Sequence, residues 1–178
     1  KCTEEFNTIA IWCSNEKCDA IYPQSADFTF YGGLYRGAHL ICVPETHFEL
    51  LHYGDLGIHA ATEPASWDKE DFMLHIRTKI CGVEKDNQVI YQIFDEDGKE
   101  VASAARPADS PDTSIPLYKP HRWDIKNSYQ YTLKALIMRN NECLDEVELK
   151  FGVRTFCCDP GRGFLINGNC VPLRGVSR

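Results

Sequence analysis

No stretch of this sequence approaches the roughly 18 consecutive apolar residues of a membrane-spanning helix, and Lys1-Cys2-Thr3-Glu4-Glu5 lacks the apolar run of about 7–15 residues that marks a secretory leader. Cationic charge is also short. Nineteen Lys and Arg stand against 26 Asp and Glu, a net charge of −7, so no basic field exists to hold a phosphate backbone or an anionic bilayer. Nucleic acid and membrane are therefore excluded as partners, and a neutral one is expected. There is no Asn-x-Ser/Thr acceptor, no Gly-x-Ser-x-Gly elbow, no glycine-rich phosphate cradle ahead of a helix and no internal repeat. Triad hydrolysis, nucleotide binding and solenoid architectures lose their support together.

Metal-ligand spacing is missing as well. The nearest approach to a zinc pair is Cys13-x4-Cys18, with no second cysteine pair to match. The six histidines (39, 47, 52, 59, 75 and 121) are scattered, none at i, i+4 from another with an intervening Glu, so His-based catalysis and zinc ligation are not expected. Cysteine, by contrast, is plentiful: nine residues, an odd number, lying mostly within apolar runs. They read as small buried hydrophobes with at least one unpaired, which fits a reducing, cytoplasmic setting.

At 178 residues, 43% hydrophobic and 25% charged, the chain can bury one core or slightly more. Its periodicity is that of strands. Phe72, Leu74, Ile76 and Ile80 share one face of a run whose other face carries His75, Arg77 and Lys79. Val89–Phe94 repeats the pattern, turns through Asp95-Glu96-Asp97-Gly98-Lys99 and returns near Val101. Tyr129 to Ile137 alternates into the turn Arg139-Asn140-Asn141-Glu142, and Val147, Leu149, Phe151 and Val153 alternate back. Ala105–Asp112, with two prolines, reads as loop or edge crossing. Without a helical repeat between 60 and 156, two packed antiparallel sheets are expected: an all-β, immunoglobulin-like sandwich. Strand-like stretches at 7–13 and 37–43 look like the tail of another sheet. An Asn167-Gly168 turn near the other end precedes a last apolar run, so the chain reads as an excised piece of a longer polypeptide.

Three segments carry a family resemblance. Asn7–Ile11 with Ile21-Tyr22-Pro23 and Asp27–Arg36 is similar to the end of a sugar-binding jelly roll. Trp123, Tyr129–Leu133 and Phe151-Gly152-Val153-Arg154 resemble the closing strands of an immunoglobulin-like domain. Asp159, Gly163–Gly168 and Leu173–Arg178 resemble the lead-in to a catalytic (β/α)8 barrel. In this order they resemble glycoside hydrolase family 2, in its β-galactosidase branch. The resemblance implies a partial jelly roll over 1–53, the sandwich over 54–156 and the barrel lead-in over 157–178. Gly37 departs from the family, which usually has an acidic residue there, and Cys170 stands where a proline is common.

The resemblance also implies that the acid/base and nucleophilic glutamates lie downstream of Arg178. The fragment is thus expected to be a non-catalytic scaffold of a retaining β-glycosidase for terminal β-galactosides. It implies that Asp27 and Arg178 belong to the substrate site, and that the parent, though not the fragment, holds a monovalent cation or magnesium. Exposed strand edges make a homo-oligomer plausible. Glu146 and Glu148 lie about 6.6 Å apart along one strand face, near the separation glycoside cleavage needs. Alternation with Val147 and Leu149 turns both toward water, where neither carboxyl is raised enough to donate a proton. Trp67, Trp123, Tyr31 and Tyr35 could stack on a sugar, although core packing is the simpler role for Trp123. A stand-alone carbohydrate-binding or protein-interaction sandwich is the rival reading.

Overall fold

In the computed structural model the described residues are 6–20, 27, 29–52 and 54–177. They contain twelve strands and no helix, so none is long and apolar enough to cross a membrane. In chain order the strands are β1 (His47–Phe48), β2 (Ile58–Pro64), β3 (Phe72–Thr78), β4 (Ile80–Cys81), β5 (Gln88–Phe94) and β6 (Glu100–Pro107). They continue with β7 (Thr113–Leu117), β8 (Tyr131–Arg139), β9 (Glu142–Phe151), β10 (Phe156–Asp159), β11 (Gly163–Ile166) and β12 (Asn169–Cys170). The chain divides into two compact units, Lys1–Cys42 and Val43–Arg178.

The second unit is built on a sandwich. One sheet has the order β2-β3-β7 and the other β6-β5-β8-β9, all pairings antiparallel. Alternation decides what each strand buries. Phe72, Leu74 and Ile76 of β3 and Ile115 and Leu117 of β7 meet Val89, Tyr91 and Ile93 of β5 and Leu133, Ala135 and Ile137 of β8. This is the immunoglobulin-like architecture expected from the sequence. Asn140 and Asn141, at φ 48° and 67°, close the β8–β9 hairpin, because an Asn-Asn pair tolerates the left-handed conformation of a two-residue turn. Pro107 sits at the end of β6, an edge strand, where its missing donor is not needed.

Smaller sheets flank the sandwich. β1 pairs with β4, and β10-β11-β12 form a three-stranded meander turned by Asn167 and Gly168. The run expected to reach Ile80 divides at Lys79, whose N–H and C=O bond to Gly57 and Glu49 while Ile80 turns away to pair with Phe48.

In the first unit the outcome differs from expectation. Neither 7–13 nor 37–43 joins a ladder, and Ile9, Trp12, Leu40 and Ile41 are exposed. Strand geometry holds only where a neighbour takes up its alternating donors and acceptors, and the described residues of this unit supply no such neighbour. The cysteines differ too. Of the eight described, seven are exposed and Cys81 half-buried, and none is in a disulfide. They lie in the strandless first unit or on edge and short strands, so apolar surroundings in sequence did not translate into burial.

Candidate functional site

The residues expected at a sugar site are placed as follows. Asp27 lies in a bend of the first unit with its side chain exposed. Arg178 lies outside the described residues. Glu146 and Glu148 project from the outer face of β9, as alternation requires, and Lys134 of β8 reaches between them at 3.1 and 3.8 Å. That contact raises the Lys134 ammonium above its ordinary range, chiefly through its hydrogen bond to Glu146. Both carboxylates are thereby engaged by a single ammonium rather than set as a separate donor and nucleophile. The pair is a solvated ion cluster across a strand ladder.

Trp123 forms a corner of the sandwich. Its N–H donates to Val153 O, its carbonyl accepts from Asn167 Nδ2 at 2.9 Å, and the Arg154 guanidinium lies 4.7 Å from its ring centroid. Asn167 completes the joint through reciprocal bonds with Thr155: its Oδ1 accepts from Thr155 N, and its N–H donates to Thr155 O. Gly152 is needed beneath the indole, because a Cβ there would stand 2.8 Å from Trp123 Cβ. The corner therefore fixes the β10–β12 meander, and with it the start of the 171–177 segment, to the end of the sandwich. Beside it a cavity of about 380 Å³ opens between Asp124–Lys126 and Ile166–Val171. Trp67 donates from Nε1 to Asp71 at 2.8 Å, and Asp71, itself buried, also accepts from Lys119 N, so this indole pins a loop. Tyr31 and Tyr35 are exposed.

One cluster arises that spacing alone did not single out. His52, Asp55 and His59 converge at the start of β2, with His52 Nδ1 2.6 Å and His59 Nε2 3.0 Å from the same Asp55 oxygen, Oδ2. The other oxygen, Oδ1, accepts from Gly57 N at 2.8 Å. The His52 hydrogen bond, then that of Gly57, holds the Asp55 carboxyl below its ordinary range. A turn bond from Asp55 N to His52 O brings the first two residues together, and strand β2 carries the third outward. The signal available in the sequence was His-x2-Asp-x3-His across a Gly-containing turn, which no helical or zinc-finger spacing would flag. His75 is engaged differently, bridging Glu63 and Ser114 at 2.8 Å each, a polar tie across β2, β3 and β7.

Comparison with known proteins fits this architecture. The sequence profile of glycosyl hydrolases family 2 matches residues 61–154, from within β2 to just past β9. A β-glucuronidase of Bacteroides fragilis is 28% identical over 184 residues, covering 98% of this chain and 26% of that protein. The β-galactosidase BoGH2A of Bacteroides ovatus is 29% identical over 136 residues, covering 71% of this chain and 16% of that protein. Among solved structures, that of an FMN-binding β-glucuronidase from Faecalibacterium prausnitzii L2-6 superposes with a TM-score of 0.84 and 44% identity, over 93% of this chain and 25% of that one. The chain thus spans about a quarter or less of the length of these relatives.

Proposed function

We propose that this chain, which belongs to the glycosyl hydrolases of family 2, is the non-catalytic β-sandwich segment of a retaining β-glycosidase whose full-length form cleaves terminal β-glucuronides. The observation that carries this reading is the likeness, along nearly the whole chain, to a solved β-glucuronidase. Retaining cleavage requires two carboxyl groups about 5–5.5 Å apart, one protonated and one ionised. The one carboxylate pair singled out from the sequence, Glu146 and Glu148, is bridged by Lys134 instead. The family resemblance implies that the chemistry belongs to a barrel following Arg178, and on this reading the sandwich with its Trp123 corner sets where that barrel begins. Asp27 and Arg178 are each proposed as substrate contacts in the full-length protein. An ionised carboxylate accepts from two sugar hydroxyls or binds a cation, and a guanidinium donates to acceptor oxygens.

A β-galactoside substrate is the second reading, favoured by the likeness to BoGH2A over 71% of the chain. The two differ at the sugar C5 substituent, a carboxylate against a hydroxymethyl, and in the configuration at C4, so substrate choice separates them. The chain extended through a following barrel is assayed on nitrophenyl β-glucuronide, β-galactoside and β-mannoside. Turnover of the glucuronide at least tenfold above the others supports the first reading, and a galactoside preference the second. Absence of all three activities overturns both. Sugar binding by residues 1–178 alone would instead favour a stand-alone carbohydrate-binding module.

A further inference from the structure

We propose that His52, Asp55 and His59 form a binding site for a divalent transition-metal ion of the zinc class. The site is independent of the glycosidase reading and lies among residues given no part in it. Three donor atoms of suitable kind, two imidazole nitrogens and a carboxylate oxygen, lie within 4.8 Å of one another. Zinc bonds to such donors at about 2.0–2.2 Å, which places tetrahedral ligands about 3.3 Å apart. The His52–Asp55 and His59–Asp55 separations, 2.6 and 3.0 Å, must open by about 0.7 and 0.3 Å to reach that value.

In the metal-free protein His52 Nδ1 hydrogen-bonds Asp55 Oδ2, an oxygen that can only accept when ionised, and His59 Nε2 lies 3.0 Å from the same oxygen. An entering ion takes the place of any proton on these two nitrogens. Each neutral imidazole then carries its proton on its other nitrogen, and any further proton held by a charged ring is released to solvent.

The surroundings are already arranged for this exchange. Gly57 N–H holds Asp55 Oδ1, so Oδ2 is directed at both rings without help from the metal, as outer hydrogen bonds do in established sites. Gly57 is itself locked: it sits at φ 68°, a Cβ on it would come within 2.7 Å of the Glu49 backbone, and its carbonyl accepts from Lys79 N. The loop thus spans from the β1 side to β2 on a fixed base. Two nitrogen donors select zinc, copper, nickel or cobalt over calcium and magnesium, which favour all-oxygen shells. His59 is about half exposed, leaving the remaining coordination positions to water.

The test uses residues 1–178 with the free thiols first blocked by iodoacetamide, because the seven exposed cysteines among the described residues would compete for zinc. Calorimetric titration with Zn²⁺ is expected to give one equivalent bound with a dissociation constant on the order of 1–10 μM. His59→Ala and Asp55→Asn are each expected to weaken binding about tenfold or more, while Mg²⁺ and Ca²⁺ give no heat. Co²⁺ should produce visible d–d bands that disappear in His52→Ala. His59 lies on the exposed face of an edge strand, so the His59→Ala thermal midpoint without metal should match the parent and separate lost ligation from lost folding. No binding at millimolar Zn²⁺, or binding unchanged in both histidine variants, overturns the proposal.

Discussion

The polar bridge inside the sandwich offers a quantitative test of how its sheets are held together. Tyr91, on β5, is fully buried, yet its hydroxyl oxygen lies 2.7 Å from Thr78 Oγ1 at the end of β3 and 2.9 Å from Pro111 O in the β6–β7 crossing. A carbonyl can only accept, so the phenol donates its single proton to Pro111, and Thr78 must donate to the phenol. Thr78 is anchored in turn by its N–H to Asp112 Oδ1 at 3.0 Å. Replacing Tyr91 with Phe keeps the ring and removes both bonds, leaving a buried hydroxyl and a partly buried carbonyl unpaired. At about 1–1.5 kcal/mol for each, the loss is about 2–3 kcal/mol. In urea this should move the midpoint by about 1–2 M with the slope unchanged, and thermally by about 5–10 °C. Tyr91→Phe, Thr78→Val and the double variant should show a coupling of at least about 0.5 kcal/mol.

The same phenol makes a pH prediction. Burial pushes its pKa from 10.0 up to about 12. The folded state therefore disfavours the phenolate, and the associated stability is fully present below pH 10 and lost as pH rises toward 12. A two-unit shift corresponds to about 2.7 kcal/mol. The alkaline decline should be shallower in Tyr91→Phe by about that amount. A Tyr91→Phe variant within about 0.5 kcal/mol of the parent, with an additive cycle, would refute the bridge.

Other substitutions probe separate parts of the structure. Leu133→Ala removes a fully buried side chain facing both sheets and should cost about 2–5 kcal/mol in chemical denaturation. Gly57→Ala forces a Cβ against the Glu49 backbone at positive φ and should cost about 1–3 kcal/mol, read by thermal midpoint. Lys134→Met, by contrast, breaks a cluster whose carboxylates are mostly solvated and should change stability by less than about 1 kcal/mol. At the acid end, Asp55, Glu49 and Asp124 have carboxyl pKa values lowered mainly by hydrogen bonds from His52, Cys81 and Asn127 respectively. Their contribution is present above the ordinary carboxylate pKa of about 4 and lost below it. An acid titration of Asp124→Asn should therefore be flatter below that pH.

The sequence pattern was most legible where one strand face was uniformly apolar. In β3, β5, β8 and β9, large side chains alternate with polar ones, and the register follows from which face must be buried. β2 and β7 left weaker traces. The first reads Ile-His-Ala-Ala-Thr-Glu-Pro, with small residues and little contrast between its faces; the second contains Pro116. Both are edge strands of their sheet, and their identity is supplied by β3, which pairs with each. The turns Asn140-Asn141 and Asn167-Gly168 were readable because positive φ demands those residue types.

Side-chain convergence was harder to see. Alternation on β9 located Glu146 and Glu148, but Lys134 comes from the neighbouring strand, and only the β8–β9 register brings it between them. His52, Asp55 and His59 meet because an irregular turn folds on Gly57, a geometry without a sequence period. Cysteine exposure was likewise decided by position, in the strandless first unit or on edge and short strands, rather than by the residue's own apolar character.

The most direct measurement is release of nitrophenol from the β-glucuronide and β-galactoside by purified residues 1–178, set beside the same chain extended through the barrel proposed to follow it. The isolated chain should match the uncatalysed rate with both substrates, while the extended protein turns over at least one. Steady hydrolysis by residues 1–178 that is abolished by Glu146→Gln or Glu148→Gln would contradict the assignment of this sandwich to a supporting role.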